Sequence, residues 1–481
     1  MSSSNKKIAG ALCISAGIYS VAYWTPGIGV LMLLFPVPLI HVLPEILTRK
    51  FFGRLCWGAV WGILYLLVGL PSLLFVTMTS YDHGKNFFLI FGKVSLLFLI
   101  LSGLFGFVWG AAFGCVGWIR RRTSRYVLAG IIFPCVWVSV EVLLRVFTFG
   151  FDWWFAGIAL VESPLFRGIA VLGGAPLLSL YVMITGAAFY IFIHETWKVI
   201  CRSGTMLTIL LLSSAGLIFG IVVHYGRQEG VDIKALPRMA ILQTNVDFPA
   251  SLPLESDSTY RQLVFKALHG GAMVIVFPGQ ILPRIIERDS LADSFWRKVL
   301  GNSLVDQDVL YVLYFPVREK NGMVYQTMFA IRKGKIEGEY KKETLFPVSD
   351  YAPPGVLGQL FADAREYSID SYRASPFSKN GILTREGSMG ALICNEAFLP
   401  SIVSRIIRQG TGVIIQSGSD KPFISDAIFT GTLRMAQVRA LQANVWWLRA
   451  NKTGISAIIS PAGDILAKLD RNKRGVLYFS P

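Results

Sequence analysis

One cysteine of this chain, Cys394, lies where a nucleophile could be presented. It follows the apolar residues Gly390–Ile393, which predict a buried strand, and the polar pair Asn395-Glu396 comes directly after it. At a strand-to-helix turn the thiol is presented at the strand end, and a helix beginning near Pro400 would favour its thiolate. The other cysteines lie in the apolar first half: Cys13, Cys56, Cys115, Cys135 and Cys201. Without a disulfide partner in its own half, Cys394 is either a nucleophile or a small buried hydrophobe.

The elements that must position this thiol belong to a chain with two unlike halves. Of its 481 residues 53% are hydrophobic, and the long apolar stretches fall within residues 1–225. The net charge of +16 is explained by basic loops that face anionic lipid, so we expect membrane lipid and not nucleic acid as a partner. The sequence contains no Walker or Rossmann motif and no zinc-type spacing, so we expect no cofactor and no metal.

Seven apolar stretches predict seven membrane-spanning helices. They are residues 8–24, a second stretch reaching about residue 41, and residues 56–78, 87–118, 127–147, 166–193 and 206–224. We therefore expect residues 1–228 to form a transmembrane domain and residues 229–481 to form a separate soluble domain.

The loops between these stretches predict an orientation. Basic clusters occur on every second loop: Lys6/Lys7, Arg49/Lys50/Arg54, Arg120/Arg121/Arg122/Arg125 and Lys198/Arg202. The positive-inside rule then places the N-terminus in the cytoplasm. After seven crossings, residues 229–481 would lie in a periplasmic compartment.

Two ionisable residues lie inside the fifth predicted span, one helical turn apart. Glu141 and Arg145 could mark a functional site, because ionisable residues within a membrane are costly. The interpretation that we favour is an ion pair between them that helps to hold helices together.

The second half alternates strands and helices, which predicts an α/β layered domain with a mostly buried sheet. The predicted strands are residues 238–243, 272–277, 309–313, 326–331, 390–393, 412–416, 445–449 and 456–460. The predicted helices are residues 258–268, 290–300, 400–408 and 430–442.

Ordered motifs in both halves carry a specific resemblance. The membrane half contributes residues 133–145, 149–154 and 173–179, and the soluble half contributes residues 242–245, 276–283, 340–353, 392–396, 438–441 and 448–456. By these motifs the chain resembles the bacterial apolipoprotein N-acyltransferase family over nearly its whole length. The resemblance implies a multi-span α-helical membrane domain in the bacterial inner membrane, followed by an α/β nitrilase-like (carbon–nitrogen hydrolase) αββα sandwich domain.

The resemblance also implies a Glu–Lys–Cys constellation. In such a site the Cys attacks a phospholipid ester and holds the acyl group as a thioester, the Glu transfers protons, and the Lys stabilises the tetrahedral oxyanion. Carried over by position, Cys394 is the nucleophile and Lys342 is the lysine, with Lys341 as the alternative. The acyl donor would be a phospholipid, and the acceptor would be the N-terminal diacylglyceryl-cysteine of a lipoprotein.

The chain departs from the family at the acid/base position. The segment Phe277-Pro278-Gly279-Gln280 puts Gly279 where the family has its glutamate, and glycine cannot transfer a proton. Glu343 and Glu396 are the candidate replacement bases nearest in sequence, and Asp350 falls on a supporting carboxylate of the family.

Two hypotheses follow. In the favoured one, the chain is an acyltransferase that uses a relocated base. In the other, it is a catalytically impaired nitrilase-like pseudoenzyme with a binding or assembly role in an envelope or transfer apparatus, because losing the proton-transfer group costs several powers of ten in rate.

Overall fold

The computed structural model describes most of the chain, and the described residues form two compact units. Described are residues 2–69, 87–120, 123–147, 150, 152, 155–226, 236–246, 248–345, 350–351, 372–375, 382–384, 387–419 and 426–480. The first unit comprises Met1–Gly226 together with Ile424–Val438, and the second comprises Arg227–Phe423 together with Arg439–Pro481.

The first unit is helical. Its long helices are α1 (Ser3–Trp24), α2 (Pro36–Thr48), α3 (Phe51–Gly69), α4 (Phe87–Ile119), α5 (Phe133–Phe147), α6 (Ala170–His194) and α7 (Gly204–Gly226). Short helical segments join them at Gly29–Leu34, Arg125–Val127, Leu128–Ile132, Ala156–Glu162, Pro164–Arg167 and Trp197–Arg202.

These long helices fall on the seven predicted apolar stretches. Within the described residues, five segments are long and apolar enough to cross a membrane: Gly29–Thr48, Phe98–Ile119, Arg125–Phe147, Ala170–His194 and Gly204–Gly226. The other two stretches correspond to α1 and to the shorter apolar helix Phe51–Leu67. Residues 70–78 of the third predicted span lie outside the described residues. Seven crossings therefore stay a prediction.

The carboxylate of Glu141 is buried among groups from three segments. Its Oε1 accepts hydrogen bonds from Tyr65 Oη at 3.1 Å, from Trp137 Nε1 at 2.9 Å and from the Ala156 backbone N–H at 2.9 Å. The predicted ion pair with Arg145 is wrong, because Arg145 pairs with Asp152 instead, at 3.4 Å. The three donors to Oε1 are all uncharged, so this buried oxygen is paired by hydrogen bonds and not by an ion pair.

The second unit contains two β-sheets. The strands are β1 (Met239–Gln243), β2 (Val274–Gln280), β3 (Ile286–Glu287), β4 (Leu310–Arg318), β5 (Val324–Arg332), β6 (Lys335–Lys341), β7 (Ile382–Thr384), β8 (Gly387–Ile393), β9 (Val413–Gly418), β10 (Trp446–Asn451), β11 (Ser456–Ile459), β12 (Ile465–Leu469) and β13 (Gly475–Phe479). The first sheet has the order β13-β1-β2-β4-β5-β6, with β3 paired to β4, and the second has the order β12-β11-β10-β9-β8-β7. The helices are α8 (Ser258–His269), α9 (Asp293–Leu300), α10 (Pro400–Ile407) and α11 (Asp426–Ala443), of which α11 begins in the first unit.

The two sheets stack face to face with helices outside. Met239 and Ile241 of β1 belong to the core that the sheets share with Ile393 of β8, whereas Ala240 and Leu242 pack in the cluster that includes helices α8 and α9. This alternation is what a strand with both faces covered requires. On the other side of the second sheet, Gly390 of β8 faces Ile406 of α10. The αββα sandwich implied by the resemblance is confirmed.

The start of α11 belongs to the first unit through Arg434, whose side chain is almost fully buried. Its Nε donates to Glu162 Oε1 at 2.9 Å, its Nη2 donates to the Thr25 carbonyl at 3.2 Å, and its Nη1 donates to the Tyr23 carbonyl. Tyr23 and Thr25 lie at the C-terminal end of α1, where helix carbonyls lack partners and a cation is favoured. Arg434 therefore caps the first helix from the far end of the sequence.

We expect Arg434→Met to destabilise the first unit on the order of 3 kcal/mol, because it removes the cation paired with Glu162 and the donor to the carbonyls of Tyr23 and Thr25. The measurement is thermal unfolding in detergent. The matched control is Arg125→Met, since Arg125 also pairs with a glutamate but is mostly exposed, and we expect little change. Equal losses in the two variants would contradict the capping role.

Candidate active site

The thiol of Cys394 lies at a sharp turn, as the sequence predicts. Strand β8 ends at Ile393, and Cys394 begins the 3₁₀ segment Cys394–Phe398 with a φ of 55°. A non-glycine residue in this left-handed region is strained and must be held by its surroundings. Gln416 contributes by donating from Nε2 to the Cys394 carbonyl at 3.3 Å. Cys394 is only partly buried, at the edge of the core between the sheets, so it is not a sealed core residue.

The buried carboxylate of Glu396 links this turn to the chain that follows β6. Its Oε2 accepts from the Ile393 N–H at 3.0 Å, and its Oε1 accepts from the N–H groups of Glu343 and Thr344 at 2.7 and 3.1 Å. Burial raises the pKa of Glu396 to about 7, while Lys342 and the three backbone donors oppose the rise. Glu396 therefore has a positioning role for both segments.

Lys342 is the lysine that the structure brings to the thiol. Its side chain is buried, and Nζ donates to Asp350 Oδ2 at 2.7 Å, while Asp350 Oδ1 accepts from Gln326 Nε2 at 2.9 Å. Burial alone would lower the pKa of Lys342, but the negative charges of Asp350, Cys394 and Glu396 raise it above its usual value. Lys342 is thus an ammonium at neutral pH, close enough to Cys394 to interact with a thiolate.

The alternative lysine and one candidate base are engaged elsewhere. Lys341 is partly exposed and pairs with Glu319 at 2.8 Å. The carboxylate of Glu343 is bound by the Arg405 guanidinium. Glu343 therefore has a cation as its partner, which makes it a poor acceptor for a thiol proton.

Gly279, the predicted position of the missing base, adjoins the same strand ends. Its N–H donates to Ser417 Oγ at 2.9 Å, and Ser417 Oγ donates in turn to the Phe277 carbonyl at 2.9 Å. Gly418, which follows Ser417 in the chain, packs against the turn at Cys394. A Cβ added to Gly418 would lie 3.4 Å from Cys394 Cα. The ends of β2, β8 and β9 thus meet around the thiol.

Sequence reasoning missed several residues of this site. Tyr314 is buried, and its pKa is raised first by burial and then by the charges of Cys394 and Asp350. Burial and Asp350 also raise the pKa of Tyr372. Gln326 and Lys452 were missed as well. In the sequence Tyr314 and Gln326 look like strand residues, and only the fold places them beside the acidic and thiol groups.

The arrangement fits covalent acyl chemistry. A partly exposed thiol at a strained turn is accompanied by a buried ammonium that is fixed by Asp350. An ammonium in this position stabilises a thiolate and the oxyanion that forms when a thiolate adds to a carbonyl.

Comparisons with known proteins show which families and proteins the chain is similar to. The family model described as carbon-nitrogen hydrolase matches residues 238–480, and the model described as apolipoprotein N-acyltransferase N-terminal domain matches residues 15–188. The apolipoprotein N-acyltransferase of Pseudomonas syringae pv. tomato is 24% identical over 416 residues, which cover 85% of this chain and 78% of that protein. The protein of the same name from Aquifex aeolicus is 25% identical over 431 residues, with 85% and 87% covered. Among solved structures, Saccharomyces cerevisiae Nit3 of the nitrilase superfamily covers 52% of this chain and 92% of its own, at 16% identity and a TM-score of 0.40.

The raised pKa of Glu396 predicts how stability depends on pH. A carboxyl group whose pKa rises from 4.5 in the unfolded chain to about 7 contributes stability below pH 4.5, and that contribution is lost as the pH rises through 7. Over this window the loss is about 3 kcal/mol.

Glu396→Gln should flatten this dependence, whatever its effect on stability at a single pH. The measurement is the melting temperature of each protein between pH 4.5 and 8. Glu287→Gln, at an exposed glutamate of the same unit, should keep the wild-type slope. Identical slopes for Glu396→Gln and the wild type would disprove the assignment.

Proposed function

Because the chain belongs to the carbon–nitrogen hydrolase family and is a divergent member of the apolipoprotein N-acyltransferase family, we propose that it transfers fatty acyl chains to lipoproteins. The donor is a membrane phospholipid, and the acceptor is the α-amino group of an N-terminal diacylglyceryl-cysteine. The observation that carries the proposal is the buried Lys342–Asp350 pair beside the Cys394 turn.

The first half-reaction forms a thioester. The Cys394 thiolate attacks the ester carbonyl of the phospholipid, the C–O bond breaks, and the lysophospholipid leaves as an alcohol after taking up a proton. Lys342 stabilises the oxyanion, and Asp350 and Gln326 keep its amine in place. In the second half-reaction the lipoprotein amine attacks the thioester, an amide forms, and the thiol is regenerated.

Each of the three candidate carboxylates within the described part of the chain is bound to another group. Asp350 is bound to Lys342, Glu343 to Arg405, and Glu396 to three backbone N–H groups. The engagement of these carboxylates, together with glycine at position 279, favours the hypothesis of an impaired, binding-only protein. The trapping experiment below separates the two hypotheses.

The chain is a bacterial inner-membrane protein, which its apolar helices and its family both support. We further propose that its N-terminus is cytoplasmic and that the catalytic unit lies on the periplasmic side. The alternation of basic clusters between the apolar stretches supports this orientation.

We expect the wild-type protein, incubated with phospholipid vesicles, to gain the mass of one acyl chain, which neutral hydroxylamine should remove. Intact-protein mass spectrometry detects the adduct. Cys394→Ala should lose it, because Cys394 is the thiol that lies beside the buried Lys342, whereas Cys135→Ala, at an exposed cysteine of the first unit, should keep it. No adduct on the wild-type protein would favour the binding-only hypothesis.

The orientation is tested with reporter fusions. Alkaline phosphatase fused after Gly226 should be active, because that enzyme requires an oxidising compartment, and the same reporter fused after Arg202 should be inactive. The reverse pattern would place the catalytic unit in the cytoplasm.

A further inference from the structure

A second buried lysine, Lys452, occupies the space above Gly279. It directly follows β10, and its residue is only 3% exposed. A Cβ added to Gly279 would lie 2.7 Å from Lys452 Cε and 2.9 Å from both its Cδ and its Cγ. The aliphatic part of Lys452 therefore fills the volume that any side chain at position 279 would enter.

The ends of Lys452 are held by the surrounding strands. Its backbone N–H donates to the Gly418 carbonyl at 3.2 Å, and its carbonyl accepts from the Asn245 N–H at 2.9 Å. The side-chain Nζ donates to the Gln280 carbonyl and lies 4.2 Å from the centre of the Phe248 ring. A carbonyl oxygen and an aromatic face both favour the charged ammonium.

Lys452 contacts two glycines, Gly418 and Gly279, that lie close to the Cys394 turn. Gly418, its backbone partner, packs directly on Cys394, and Gly279, which it covers, is hydrogen-bonded to the adjacent Ser417. The ammonium is thus held at the strand ends that surround the thiol.

The charged groups near Cys394 determine whether a second cation would help its thiol to ionise. Among the described residues, Lys342 carries one positive charge, Asp350 balances it, and Glu396 adds negative charge above its pKa of about 7. Glu343 and Arg405 compensate each other, and Tyr314 and Tyr372, with raised pKa values, stay neutral. With Glu396 ionised, the five charged groups named here sum to one negative charge, and a nearby cation would favour a thiolate beside them.

We propose that Lys452 replaces the side chain missing at position 279 and supplies the positive charge that lets the Cys394 thiol ionise without a carboxylate base. The Sγ–H bond breaks, the proton passes to water, and the electron pair stays on sulfur. This role of Lys452 rests on the proposed acyl transfer, for which the thiolate is the nucleophile. Lys452 acts on the thiol through its charge and is a positioning residue in this scheme.

The test is the pH dependence of alkylation of Cys394 by iodoacetamide, followed by mass spectrometry of the peptide that contains it. Lys452→Met should raise the apparent pKa of the thiol by about one unit and slow alkylation at pH 7 about tenfold, because only the thiolate reacts. Lys452→Arg keeps the charge and should restore most of the rate. An unchanged profile in Lys452→Met, or no rescue by Lys452→Arg, would overturn the proposal.

A second variant decides the matter if Lys452→Met does not fold. Gly279→Ala adds a Cβ that displaces the flexible Lys452 chain, so it should shift the profile in the same direction. Its control is Gly271→Ala, which has a comparable φ of 76° but open space around the added Cβ, and which should leave the profile unchanged. Equal profiles for Gly279→Ala and Gly271→Ala would count against the role of Lys452.

Alkylation needs neither phospholipid nor lipoprotein, so the two proposals fail separately. A shifted profile without an acyl adduct would remove acyl transfer and keep the role of Lys452. An acyl adduct with an unshifted profile would do the reverse.

Discussion

The carboxylate of Glu396 is the interaction on which the geometry of the site depends. It accepts one N–H from the strand that ends at the thiol and two from the segment that follows Lys342. Without these bonds Ile393, which precedes the strained Cys394, would lose the partner of its N–H, and the segment after Lys342 would lose its link to the turn. The nucleophile and its cation come from distant parts of the sequence, and one acceptor aligns both.

The site combines retained and altered features of its family. The thiol, the lysine and the lysine's acidic partner occupy the positions that the resemblance implies, whereas the proton acceptor is absent at Gly279. Lys452 fills the volume that a side chain at position 279 would occupy. A positively charged side chain therefore stands where the family has a negatively charged one. A carboxylate takes a proton directly, whereas an ammonium acts only by making the anion more stable.

The order of the elements was accessible from the sequence, because alternating hydrophobicity marks buried strands and helices. Each predicted strand of the second half is present, and several extend beyond the predicted bounds, as β4 does by five residues at its C-terminal end. Strand β6 was missed because Lys335, Glu337 and Glu339 give it a charged face. The pairing of Glu141 with Tyr65, Trp137 and a backbone N–H was not predictable, since it depends on helix packing that sequence spacing does not encode. Lys452 was invisible for a similar reason, because its closeness to Gly279 arises from the stacking of two sheets.

Arg434 has a consequence for the biogenesis of the protein. The end of α1 is completed by a residue encoded more than 400 positions later, so the helical unit cannot reach its final state while the ribosome is still translating the sandwich. Early helices must wait in the bilayer with an uncapped end until nearly the whole polypeptide has emerged. A polypeptide whose synthesis stops before that arginine would therefore lack the donor that completes the end of α1.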